Sequence, residues 1–82
     1  MNKYKATINI TLRKNILDVQ GKTVQHALHS IDFPMIDNVR IGKLVELDIE
    51  AESADKAREL LTDACNKLIA NPIIEDYEIN IK

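Results

Sequence analysis

The chain is poor in the residues that small proteins most often use for chemistry or covalent stapling. Among its 82 residues are one cysteine, two glycines, two prolines, two tyrosines, one phenylalanine and no tryptophan. With Cys65 alone, no intramolecular disulfide can form and a cysteine-rich zinc site is excluded. Gly21 and Gly42 are too few and too far apart to make a glycine-rich loop that cradles phosphates with its backbone. No serine-nucleophile motif or paired-carboxylate arrangement occurs. A sheet that binds RNA needs exposed aromatics for base stacking, yet Tyr4 and Tyr77 fall in the apolar register of their segments. The net charge of −2 gives no general attraction to nucleic acid or anionic membrane. No run approaches the ~20 apolar residues that span a bilayer, and lysines alternate with apolar residues at the N-terminus where a signal peptide would be apolar. A cytoplasmic protein, without nucleic-acid or membrane partners, is the expectation.

What is present is alternation. Tyr4, Ala6, Ile8, Ile10 and Leu12 interleave with Lys5, Thr7, Asn9, Thr11 and Arg13, the mark of a strand with one dry face. Asp18 then stands as an N-cap able to accept from the amide of Gln20 or Gly21. Val24, Ala27, Leu28 and Ile31 come next at helical spacing, and Phe33-Pro34 ends that helix. Ser53 caps a second helix, with Asp55 suited to the positive end of its dipole. Its stripe is Ala57, Leu60, Leu61, Ala64, Cys65 and Leu68. Asn71-Pro72 stops it, and Tyr77, Ile79 and Ile81 form a last strand.

Between the helices lies an unusually long alternating stretch. From Asn38 to Glu52, Val39, Ile41, Val45, Leu47, Ile49 and Ala51 share one register, with Lys43 its exception and Leu44 out of phase. A two-residue turn at Gly42-Lys43 would throw the second half onto the opposite face. One continuous strand keeps the phase. Some thirteen residues span about 40 Å, whereas a compact chain of this size has a radius of gyration near 12 Å. Part of the strand is therefore expected to project beyond its subunit and to be covered by another copy. Small domains bury only roughly 60–65% of their unfolded surface, so such cover also stabilises. The expected fold is a single domain over residues 1–82. It is an α+β two-layer sandwich, strand-helix-long strand-helix-strand, with both helices on the dry face of an antiparallel sheet shared between subunits. Halving the middle strand gives the element order of a ferredoxin-like unit.

Candidate chemistry is sparse. His26 and His29 have metal-compatible spacing but no third ligand. Cys65 lies inside an apolar stripe, where a thiol packs rather than reacts. Three clusters remain: Leu17-Asp18-Val19-Gln20-Gly21-Lys22, Val39-Arg40-Ile41-Gly42-Lys43 and Asn71-Pro72-Ile73-Ile74-Glu75-Asp76-Tyr77. Asp18, Gly42 and Asn71-Pro72 suit local structure, whereas Gln20, Lys22, Arg40, Lys43 and Glu75 have no evident structural demand. Polar residues held on loops between rigid elements suit binding. The residues alone leave both readings open.

These clusters, in this order and spacing, resemble the PurS family, the small subunit of phosphoribosylformylglycinamidine synthase. Its pattern is Leu-Asp-Pro-Gln-Gly, then Val-Arg-X-Gly-Lys, then Asn-Pro-X-Ile-Glu-Asp-Tyr. Two departures are Val19 in place of proline and Asp32 where glycine is usual before Phe33. The resemblance implies a non-catalytic subunit that joins the PurL synthetase to the PurQ glutaminase and supports ammonia transfer between them. ATP and Mg would belong to PurL, with no cofactor on this chain. Such chains form homodimers, with pairing into tetramers left open. The expected partner or subunit interface comprises Gln20, Lys22, Arg40, Gly42, Lys43, Asn71, Pro72 and Glu75. Two other classes stay open beside it: a ferredoxin-like small-molecule sensor and a dimerisation module.

Overall fold

Alternation in the first segment produces β1, Asn2–Leu12, the central strand of a three-stranded antiparallel sheet. On one side it pairs with β2, Lys43–Ala51, and on the other with β3, Glu75–Ile81. The register places Ile8 between Val45 and Ile79, and Ala6 between Leu47 and Ile81. Apolar side chains from three strands thus line up on a single face, as a period of two requires. The computed structural model describes residues 1–82 throughout.

That face is covered by α2, Ala54–Ala64. Ser53 caps it, its side chain accepting from the Lys56 amide at 3.1 Å. Ala57 and Leu61 are buried, and with Ile8, Ile10 and Cys65 they make the core. Arg58 reaches across to donate to the carbonyl of Ile79 at 2.8 Å, tying the helix to β3.

The helix does not end as its sequence stripe suggests. Cys65–Ile69 form a π turn, closed by the amide of Ala70 donating to the carbonyl of Cys65 at 3.0 Å. One extra residue in the turn rotates the side chains beyond it about the helix axis. Leu68, expected inside, is 87% exposed, and Ile69 packs against the core in its place.

The first helix, α1 (Val19–Ser30), differs more. It touches the strands only marginally, so α2 alone covers the sheet. The expected Val24-Ala27-Leu28-Ile31 stripe is largely uncovered, with Val24 39% and Ile31 60% exposed. Instead α1 turns Gly21, Gln25 and His29 toward the segment that leads into β2. Gln25 bonds Val39 and Asp37, and the His29 ring lies 2.7 Å from the Ile36 carbonyl. The ladder of β2 accordingly starts at Lys43, later than the expected Asn38. No strand pairs with residues 38–42 within the chain, and the side chains of Asp18 and Gln25 supply backbone partners there instead. There is no hairpin at Gly42.

Asp32 adopts a φ of 75°, the left-handed region that glycine enters freely and that aspartate tolerates better than most residues. The turn thus keeps the shape that a glycine there would give it. Asn38, at φ 53°, makes a second such bend. No helix is long and apolar enough to cross a membrane.

The outcome is long and thin. The chain measures 52 × 24 × 14 Å with a radius of gyration of 16.3 Å, against about 12 Å for a compact chain of this length. Val45, Leu47 and Ile49 remain half-buried because no second helix sits over them.

The π turn makes a direct prediction. Ile69→Ala should lower unfolding free energy by roughly 1–3 kcal/mol, and Leu68→Ala by no more than about 0.5, measured by urea denaturation. A continuous α-helix would reverse the order.

Candidate functional site

The β1–α1 loop, the start of α1 and the segment before β2 meet at Asp18. Its side chain is buried, and the two carboxylate oxygens are divided between two chain segments. Oδ1 accepts from the Gly21 amide at 2.9 Å, capping α1 as the sequence suggests. Oδ2 accepts from the Ile41 amide at 2.7 Å, across 23 residues of sequence. The Gly21 bond, then the Ile41 bond, hold the carboxyl below the usual carboxylate range, with Arg40 adding attraction and burial opposing.

Gln25 continues this clamp. Its Oε1 accepts from the Val39 amide at 3.2 Å while Nε2 donates to Asp37 at 2.9 Å. Arg40 Nη2 donates to the carbonyls of Leu12 and Arg13 at 2.9 and 3.0 Å, fastening the segment to the end of β1. Residues 37–41 are therefore secured by side chains alone. The amides of Asn38, Arg40 and Gly42 find no partner within the chain.

Both glycines answer to close approach. A Cβ on Gly21 would lie 2.2 Å from the Val39 carbonyl oxygen, and one on Gly42 would lie 2.6 Å from that of Ile10. The first lets α1 meet the pre-β2 segment; the second lets that segment join β1.

The third cluster is a self-contained turn. The Asn71 amide donates to Glu75 Oε1 at 2.7 Å, and the Ile73 amide donates to Asn71 Oδ1 at 3.1 Å. Arg13 donates to the Pro72 carbonyl and lies 3.5 Å from Asp76. Glu75 Oε2 also pairs with Lys43 Nζ at 3.4 Å, bridging β3 and β2 across the central strand.

The interface residues expected from sequence divide accordingly. Gln20, Gly42, Lys43 and Glu75 line one open groove of about 570 Å³, floored by Ile10, Leu12 and Ile41. Lys22 and Arg40 line an adjoining pocket of about 370 Å³. Asn71 and Pro72 line neither and shape the turn that holds Glu75. Arg40, Lys43 and Glu75, which show no structural demand in the sequence, each have a local bonding task. Two contributors escape sequence reasoning. Lys14 lines the smaller pocket, and Gln25 clamps the Val39 amide. A lysine in the turn after a strand and a glutamine on a helix carry no distinguishing local pattern.

Asp18 ionises more readily folded than unfolded, so its stabilisation is complete above about pH 4 and drains away as pH falls through the acid range. Asp18→Asn should lower the melting temperature at neutral pH, with the gap to wild type narrowing below pH ~4. A constant gap would contradict the clamp. Gly42→Ala should destabilise by about 1–3 kcal/mol in denaturant titration, because backbone rather than a movable side chain occupies the space.

The comparisons with known proteins agree with one another. A family model, PurS: phosphoribosylformylglycinamidine (FGAM) synthase, matches residues 5–82. The chain is 43% identical to the synthase subunit PurS of Bacillus subtilis over 79 residues, covering 96% of this chain and 93% of that one. It is 39% identical to the Methanocaldococcus jannaschii subunit, covering 96% and 95%. Among solved structures, B. subtilis PurS superposes with a TM-score of 0.86, covering 96% of this chain and 98% of that one. A chain of the PurLQS structure from Thermotoga maritima superposes with a TM-score of 0.91 at 33% identity, covering 100% of both. Matched along nearly its whole length in sequence and fold, the chain belongs to the PurS family of FGAM synthase.

Proposed function

We propose that this chain is the non-catalytic bridging subunit of a phosphoribosylformylglycinamidine synthase, joining a PurL synthetase to a PurQ glutaminase in purine biosynthesis. The observation that carries this reading is the end-to-end match with a chain of the T. maritima PurLQS assembly. The reaction converts formylglycinamide ribonucleotide to formylglycinamidine ribonucleotide with ATP and glutamine. ATP and Mg belong to the synthetase, the protein works in the cytoplasm, and this subunit holds the other two in register. Ammonia then passes between active sites without reaching bulk water, where it would be protonated.

The bridging unit is a homodimer in this reading. Two uncovered surfaces support it. One is the half-buried strip of Val45, Leu47 and Ile49 beside the outer edge of β2. The other is the Val24-Ala27-Ile31 face of α1, next to a segment whose Asn38, Arg40 and Gly42 amides lack partners. In a two-fold pair each copy lays its residues 38–42 along the β2 edge of the other and its α1 over the bare half of the sheet. Sheet extension of this kind satisfies backbone groups and buries apolar surface together. Gln20, Gly42, Lys43 and Glu75 in the larger groove, with Lys22 and Arg40 beside them, belong to the contact surfaces between copies or toward the enzyme subunits.

Reconstitution tests the function. Mixing this protein with PurL and PurQ and assaying glutamine-driven product formation should give activity only when all three are present. Activity from PurL and PurQ alone would refute bridging. Light scattering should return twice the chain mass at micromolar concentration, and a stable monomer there would refute the shared sheet.

A further inference from the structure

Three cations line the smaller pocket, and one carboxylate, that of Asp18, stands among them. Lys14, Lys22 and Arg40 line it together with Asn15 and Asn38. None of them belongs to any of the chain's salt bridges, which are Arg13–Asp76, Lys43–Glu75, Lys56–Glu59 and Lys67–Asp63. Asp18 is the one acid in the lining, and both its oxygens are occupied by the Gly21 and Ile41 amides. Asp37, nearby in sequence, is held by Gln25. The lining thus sets three cations against the single charge of Asp18, which also attracts Arg40, so a chain of net charge −2 holds a local excess of positive charge here.

The pocket is also partly preorganised. Arg40 Nη2 is fixed by the carbonyls of Leu12 and Arg13, which orients the guanidinium and leaves Nη1 and Nε free to donate. A planar fork already held in place loses little further freedom on meeting a carboxylate. The rim adds Leu17, 69% exposed. Apolar surface bordering fixed cations suits a folded protein surface better than a free phosphate. At about 100° per residue, Lys22 leaves α1 on the side opposite Val24 and Ile31. The Lys22 wall of the pocket thus stays open when a second copy covers the apolar side of α1, while Asn38, Val39 and Arg40 of its lining belong to the segment laid along that copy.

We propose that this pocket receives an acidic segment of an enzyme subunit of the synthase, its carboxylates paired with Lys14, Lys22 and Arg40. This inference rests on the bridging reading and names the chemistry by which one bridged partner is held. Charge complementarity of this kind sets association rate and register as well as affinity, and it weakens with salt.

The test compares wild type with Lys14→Gln/Lys22→Gln and Lys14→Glu/Lys22→Glu, leaving the structurally engaged Arg40 intact. Binding to PurL and to PurQ would be measured by analytical ultracentrifugation between about 50 and 500 mM NaCl. The neutral variant should bind one of the two subunits about tenfold more weakly at low salt, with a flatter salt dependence, and the reversed variant more weakly still. Both should remain dimers with melting temperatures close to wild type. Wild-type affinity and salt dependence in the variants would overturn the proposal while leaving bridging intact. Submillimolar, saturable binding of inorganic phosphate that the neutral variant alone loses, with assembly unchanged, would also overturn it in favour of a small-anion site. Failure of wild type to bind either subunit would remove the bridging reading and this inference together.

Discussion

One carboxylate holds two distant parts of this chain in a fixed relation. Asp18 starts α1 through the Gly21 amide and anchors the pre-β2 segment through the Ile41 amide. Without the second bond, nothing in the core would locate that segment, because α1 barely meets the sheet. Gln25 and Arg40 reinforce the arrangement with bonds to the Val39 amide and to the β1 carbonyls. Polar side chains thus do at this end what apolar packing does at the other. The consequence is a groove and a pocket whose backbone walls are held by side-chain bonds although most lining residues are exposed.

The sheet shows the complementary design. β1 supplies two of the largest fully buried side chains, Ile8 and Ile10, because it is flanked by strands on both sides and covered by α2. β2 lies at an edge where only α2 reaches it, and its inward side chains stay half-buried. Lys43 and Glu75 close the open end of the dry face with an ion pair between two flanking strands. The larger groove begins there, so the boundary of the core is also the floor of that groove.

Much of this was legible in the residues. Strict alternation located β1 and β3, helical spacing located α1 and α2, and Asp18 and Ser53 were identifiable caps. The unbroken phase through Gly42 correctly excludes a hairpin, but the continuous long strand it suggests is not formed within the chain: β2 has nine residues and begins at Lys43, after the bend at Asn38. Other features depend on contacts that no local pattern encodes. The π turn exchanges Leu68 for Ile69 by adding one residue to a turn, which periodicity cannot register. The apolar stripe of α1 was found, but a stripe does not say which molecule it faces. Asp18 read as a cap only, since its second bond joins residues 23 apart. Likewise, the pairing of Lys43 with Glu75 depends on two strands flanking a third.

A layer only 14 Å thick has a kinetic implication. A lone molecule leaves apolar side chains wet and a strand edge open, both of which favour adventitious pairing with other unfinished chains. If two copies complete one another as proposed, the final folding step is bimolecular and robustness rises with concentration. In a cell, such a chain would be most vulnerable to proteases while newly made and scarce.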